Sequence, residues 1–162
     1  ATEVLYFSII LSYLLILNFN EKLFLGDSGS YILSLFTGYF VILIYNNNQN
    51  ISPLFIALLL WYPCFENLFS IVRKFTFNKS PLKPDNKHLH QLVYVYFKTK
   101  FNLKKNLANN ISSLIINSFN LIFIYLASLN YKHTFIQLFM ILLFSLIYIY
   151  FYLRILKIIS KN

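Results

Sequence analysis

An all-α, polytopic membrane protein of about five transmembrane helices is the fold class this chain predicts. The first observation behind it is composition: 58% hydrophobic residues against 12% charged, with a mean hydropathy of +0.61, far from a water-soluble domain. The second is the grouping of the apolar residues into five runs, near 4–19, 31–45, 53–72, 111–129 and 135–153. A spanning helix needs roughly 20 residues, so the first two runs require their flanks to complete a crossing. The third is charge: nine of the fourteen Lys and Arg fall between Arg73 and Lys105.

Taken in chain order, run 4–19 leads into a polar connector at 20–30, and run 31–45 ends in an uncharged Asn-rich segment at 46–50. Run 53–72 carries Pro63, the one candidate break, and leads into a basic loop over 73–110. Within that loop Leu92, Val93, Tyr96 and Phe97 recur at helical spacing beside Lys98 and Lys100, which predicts a helix lying in the membrane interface. Runs 111–129 and 135–153 form a closing hairpin. Basic residues accumulate on the cytoplasmic side, so the 73–110 loop, the 20–30 connector and the tail with Arg154, Lys157 and Lys161 are expected inside. The whole chain, 1–162, reads as one membrane domain. The net charge of +9 then reflects topology and attraction to anionic membrane lipids or an anionic substrate; without a nucleic-acid-binding fold, no nucleic-acid partner is expected. The richness in Phe and Tyr fits coding bias and interfacial belts and assigns no function.

Two segments gather the scarce residue types. Phe24-Leu25-Gly26-Asp27-Ser28-Gly29-Ser30 holds two of three glycines and one of two aspartates. Glycine permits positive φ and close approach of backbone N–H groups to a ligand, and a following helix start attracts anions. A carboxylate there can hold a divalent cation that bridges to phosphate. The same residues also suit a polar capping turn between two apolar helices.

Lys79-Ser80-Pro81-Leu82-Lys83-Pro84-Asp85-Asn86-Lys87-His88-Leu89-His90-Gln91 holds the other aspartate, two prolines and two of three histidines. The prolines discourage helix before them, which places Asp85 to cap a helix carrying the histidines. On a regular helix His88 and His90 stand about 200° apart, a poor chelating pair. In an extended or first-turn geometry they are suited to donate to phosphate oxygens or carry protons; a solvated basic loop is the plainer alternative. Glu66 lies inside the third run, where an ionisable group faces a cavity or a partner. Cys64 is the only cysteine, so no intrachain disulfide forms.

Jointly, FLGDSGS opening a transmembrane helix, an apolar helix ending Ile71-Val72-Arg73-Lys74, and SPLKPDNKHLH on a cytoplasmic loop resemble the polyprenyl-phosphate N-acetylhexosamine-1-phosphate transferases. More distantly the pattern is similar to phospho-N-acetylmuramoyl-pentapeptide transferase. The resemblance implies transfer of a sugar 1-phosphate from a UDP-N-acetylhexosamine to undecaprenyl phosphate, with Mg2+, on the cytoplasmic face of a bacterial inner membrane. It is the first step of a cell-surface polysaccharide. It further implies Asp27 as the catalytic and metal-binding residue. Gly26, Ser28, Gly29, Arg73, Lys83, His88, His90 and Gln91 are implied as substrate-binding. Gln91 departs from the family pattern, where another histidine often stands; its amide can still donate.

The family's aspartate-rich cytoplasmic motif and its Asn-x-x-Asn and Asp-Gly-x-Asp-Gly segment are not found here. The chain is thus expected to be a partial bundle of a larger transferase fold, its C-terminal part, inactive without a matching N-terminal half. A noncatalytic membrane scaffold or a small transporter subunit is the alternative from other classes.

Overall fold

The computed structural model describes residues 2–78, 80 and 86–160. They form seven helices and no strand: α1 (Thr2–Phe19), α2 (Gly26–Asn47), α3 (Pro53–Leu59), α4 (Trp61–Thr76), α5 (Leu89–Lys100), α6 (Lys105–Ser128) and α7 (Thr134–Ile159). Helices α1, α2, α6 and α7 are each long and apolar enough to cross a membrane. The flanks join the short runs as required: α2 starts five residues before run 31–45, and α6 starts at Lys105 rather than near 111.

The third run differs from a continuous span. It is broken between α3 and α4, whose axes meet at 74°. Pro63 explains the place of the break: its ring cannot donate and collides with the carbonyl four residues earlier, so an uninterrupted helix through Leu59–Pro63 is blocked. Restarting at Trp61 puts Pro63 in the first turn of a new helix, where the missing N–H is tolerated. With the bent pair counted as one span, the crossings number five.

The chain forms two compact units, residues 1–49 and 50–162. In the first, Phe7 of α1 meets Phe36 and Phe40 of α2, with ring centroids 5.7 and 5.1 Å apart. Neither helix buries a residue fully, and both present apolar side chains all round, which suits hydrocarbon surroundings.

In the second unit α5 packs against α6 and α7, and α3 packs against the same two helices. Its core is an i, i+4, i+8 stripe on α7: Phe144, Tyr148 and Tyr152, each 1% exposed. Phe144 stacks on Phe123 of α6, and Trp61, Phe65 and Phe69 of α4 set their rings edge-on against Phe144, Tyr148 and Tyr152. Edge-to-face pairs of this kind contribute about 0.5–1.5 kcal/mol beyond area burial. At one end Ser52 caps α3 by accepting from the Leu54 N–H, its own N–H donates to the Tyr131 carbonyl, and its hydroxyl lies 3.2 Å from that of Thr134. Buried Gln137 donates to the carbonyls of Ala127 and Asn130, satisfying the end of α6.

Helix α5 forms where the spacing predicts it, but its apolar face has a protein partner. Leu89, Leu92 and Val93 are buried against α6 and α7, so this part of the stripe joins the core of the unit. With so few glycines available, asparagine supplies left-handed residues after helices: Asn78 (φ 53°) beyond α4 and Asn102 (φ 49°) beyond α5.

Candidate functional site

In the second unit the chemistry gathers where α4 meets the start of α5. Buried Glu66 points its carboxylate at that start: Oε1 accepts from the Leu89 N–H at 2.8 Å, and both oxygens lie 3.3 Å from His90 Nδ1. The Tyr148 hydroxyl reaches Oε1 at 3.4 Å, and Tyr62 approaches the same carboxylate without hydrogen-bond geometry. Two protein donors replace water for a group that would otherwise be costly to bury.

His88 caps α5. Its backbone is extended (φ −75°, ψ 152°), its side chain accepts from the Gln91 N–H, and the Gln91 Oε1 accepts from the His88 N–H at 3.2 Å. This is a capping box with histidine in the place usually held by Ser or Thr. Asp85 lies outside the described residues, as do Lys83, Pro81 and Pro84. Because His88 is extended and His90 lies in the first turn, the two imidazoles fall on one side and stack, centroids 5.7 Å apart and planes 20° apart. The first-turn geometry thus replaces the 200° separation of a regular helix. His88 Nδ1 is 3.9 Å from the Glu66 carboxylate, so one buried acid faces both rings.

Arg73, one helical turn from the end of α4, locks the segment before His88. It donates to the Lys87 carbonyl at 2.8 Å, to the Tyr152 hydroxyl at 2.6 Å and to Ser70 Oγ at 3.2 Å, with its guanidinium 5.6 Å from the Tyr152 ring centre. Arg73→Met keeps the apolar stem and removes these donors. It is expected to cost on the order of 3 kcal/mol. Thermal unfolding of the purified full-length protein checks this, and an unchanged midpoint would count against the clamp.

In the first unit, Gly26 starts α2 with φ +64°, a conformation open to glycine at little cost. Space is open around Gly26 but tight at Gly29, where a Cβ would sit 3.2 Å from the Leu25 side chain. Asp27 and Ser28 are exposed in the first turn, and the N-cap Leu25 offers no side-chain hydrogen bond. The polar capping turn that these residues could have formed is therefore not made by a side chain at the N-cap, and the Asp27 carboxylate faces outward at the positive end of the helix.

Over 131 residues, 81% of its length, the chain is 32% identical to the undecaprenyl-phosphate alpha-N-acetylglucosaminyl 1-phosphate transferase of Thermotoga maritima. That relative is of the family that the motifs of this chain resemble. It spans 40% of the length of that transferase. No family model and no solved structure matches it.

The site contains groups that the motifs carrying this likeness do not include. Tyr148 and Tyr152 come from an α7 run in which aromatics seemed uninformative; the usable signal is their i, i+4 spacing toward the charged end of the span. Lys87 enters through its carbonyl, which no side-chain pattern reports. Glu66 was legible as an anomaly of depth, though its partners were not. Asp27 is an exposed carboxylate, the kind of ligand that suits magnesium, which takes one or two carboxylates and completes its shell with phosphate oxygens and water. Among the described residues no cluster of three or more His, Cys, Asp or Glu could hold a metal unaided.

Proposed function

We propose that the chain carries the nucleotide-sugar side of a membrane transferase that moves a sugar 1-phosphate from a UDP-N-acetylhexosamine to undecaprenyl phosphate on the cytoplasmic face of a bacterial inner membrane. In that reaction an oxygen of the lipid phosphate attacks the sugar-bearing phosphorus. The bond from that phosphorus to the bridging oxygen breaks, and UMP leaves. The observation that carries the reading is the histidine pair: two stacked imidazoles at a helix start, gathered on one buried carboxylate, in a chain with the family's order of motifs. Imidazoles there can donate to diphosphate oxygens or exchange a proton with a phosphate.

Asp27 would hold magnesium, which when bound offsets the charge of the diphosphate. Gly26 keeps the backbone of the turn open to close approach, Gly29 makes room for the Leu25 side chain behind it, and Ser28 offers an exposed hydroxyl. Gln91 acts through the cap, its Oε1 accepting from the His88 N–H, which leaves the amide NH₂ as a donor toward a phosphate. A transporter subunit is the weaker reading: the cleft of about 300 Å³ at the α3–α4 break is lined by Asn117, Asn120, Tyr62 and apolar residues, with no acid, histidine or basic residue along it.

The test uses sealed inner-membrane vesicles containing the full-length protein, with UDP-N-acetylglucosamine added outside and undecaprenyl phosphate in the bilayer. Inverted vesicles are expected to release UMP and form lipid-linked sugar phosphate in equal amounts, and right-side-out vesicles neither. The 162 residues alone are expected to release none above a no-acceptor control, because the Asp27 turn brings a single carboxylate to the metal. Acceptor-independent UMP release by the full-length protein, or equal activity from both vesicle orientations, would overturn the reading.

A further inference from the structure

Glu66 is the one buried acid of the described residues, and neither the motifs nor the proposed chemistry uses it. Its contacts are unlike those of a residue merely satisfied within its own helix. Both oxygens turn toward α5, one fixing the backbone at Leu89 and both facing a single ring nitrogen, His90 Nδ1. An ionised carboxylate only accepts hydrogen bonds, so the Nδ1 that it faces carries a proton. A neutral imidazole protonated at Nδ1 has its lone pair on Nε2, across the ring from Glu66. A doubly protonated ring offers an N–H there instead. Whichever form is present, the nitrogen left for a ligand is the same, and the ring is open to it, its side chain being 51% exposed.

We propose that Glu66 is a positioning residue, whose carboxylate holds His90 Nδ1 and the Leu89 N–H and thereby presents His90 Nε2 as the nitrogen that meets the substrate phosphate. The assignment rests on the transferase reading for what Nε2 meets; the coupling of Glu66 to His90 stands on geometry alone. The arrangement follows from the fold. Trp61, Phe65 and Phe69 dock α4 on the α7 aromatic stripe, Arg73 ties the segment before α5 to α4 and α7, and between these anchors Glu66 meets the first turn of α5. Fixing the backbone and the ring from one carboxylate removes the freedom that would let either ring nitrogen face outward. Misplacement of a reacting group by about 1 Å can cost on the order of a hundredfold in rate.

The experiment is ring-15N histidine NMR of the full-length protein in detergent, at a pH where the ring is neutral, with the His90 signal assigned by its loss in His90→Ala. Wild type is expected to show the pattern of Nδ1–H with Nε2 unprotonated. Glu66→Gln keeps the shape and an oxygen for Leu89, but puts an NH₂ donor where Glu66 Oε2 stood, so the Nε2–H form is expected to gain population. Turnover is read on the same proteins as a double-mutant cycle. Glu66→Gln is expected to lower kcat about tenfold in wild type and to have little further effect in His90→Ala. A wild-type ring protonated at Nε2 overturns the proposal even if Glu66→Gln does not fold. An unchanged tautomer in Glu66→Gln, or losses that simply add in the cycle, overturns it as well. A redistributed tautomer with full turnover in His90→Ala refutes the transferase reading of His90 and leaves the Glu66–His90 coupling standing.

Discussion

Asp27→Asn in the full-length protein is expected to reduce sugar-phosphate transfer by roughly a hundredfold or more, the size of loss that follows removal of one charge-stabilising group from a reacting centre. The substitution preserves shape and removes the negative charge a divalent cation needs. Its effect on folding is expected to be small. The N-cap of α2 makes no side-chain hydrogen bond, Asp27 is exposed, and the interaction forfeited with the helix start is about 0.3–1 kcal/mol. Activity and stability therefore separate. UMP release measured beside a thermal melt checks both, and normal rates in Asp27→Asn would remove this residue from the reaction.

The histidines are expected to part company when each is replaced. His90→Ala removes a half-exposed ring that has no part in the α5 cap but faces the buried Glu66 carboxylate, so turnover should fall about a hundredfold and the stability lost is that of one Glu66 contact, with the cap kept. His88→Ala removes the side chain that accepts from the Gln91 N–H, so it should lose activity and also about 1 kcal/mol of stability. Kinetics and melting of the two variants under one set of conditions decide the matter. Undiminished turnover in both would place the pair outside the site.

Much of this protein was readable as a string. Helical class, the number of candidate crossings and the two segments where scarce residue types gather follow from apolar run lengths, charge placement and the scarcity of Gly, Asp and His. Bilayer thickness and backbone desolvation leave an apolar chain few choices. The positive φ of Gly26 was legible too, since few other residues adopt it cheaply. Pro63 announced a break in the third run, but its position at Leu60 and its 74° angle depend on how α3 and α4 pack on α7. The partners of α5 were hidden for a related reason: an amphipathic stripe records that a helix has an apolar face, not whether lipid or protein covers it.

The histidine site shows the same division. Sequence alone determined that His88 and His90 stand two apart beside prolines and that a carboxylate lies within an apolar run at Glu66, because these are facts of composition and local spacing. Only the tertiary structure decided that His88 caps α5, that the two rings stack, and that Glu66 faces both across 22 and 24 residues of chain. The physical reason is that a buried carboxylate takes whatever donors the packing of other helices brings to it. That packing, through Tyr148 and Tyr152 on α7 and Arg73 on α4, is set by contacts some 80 residues apart that no local pattern encodes.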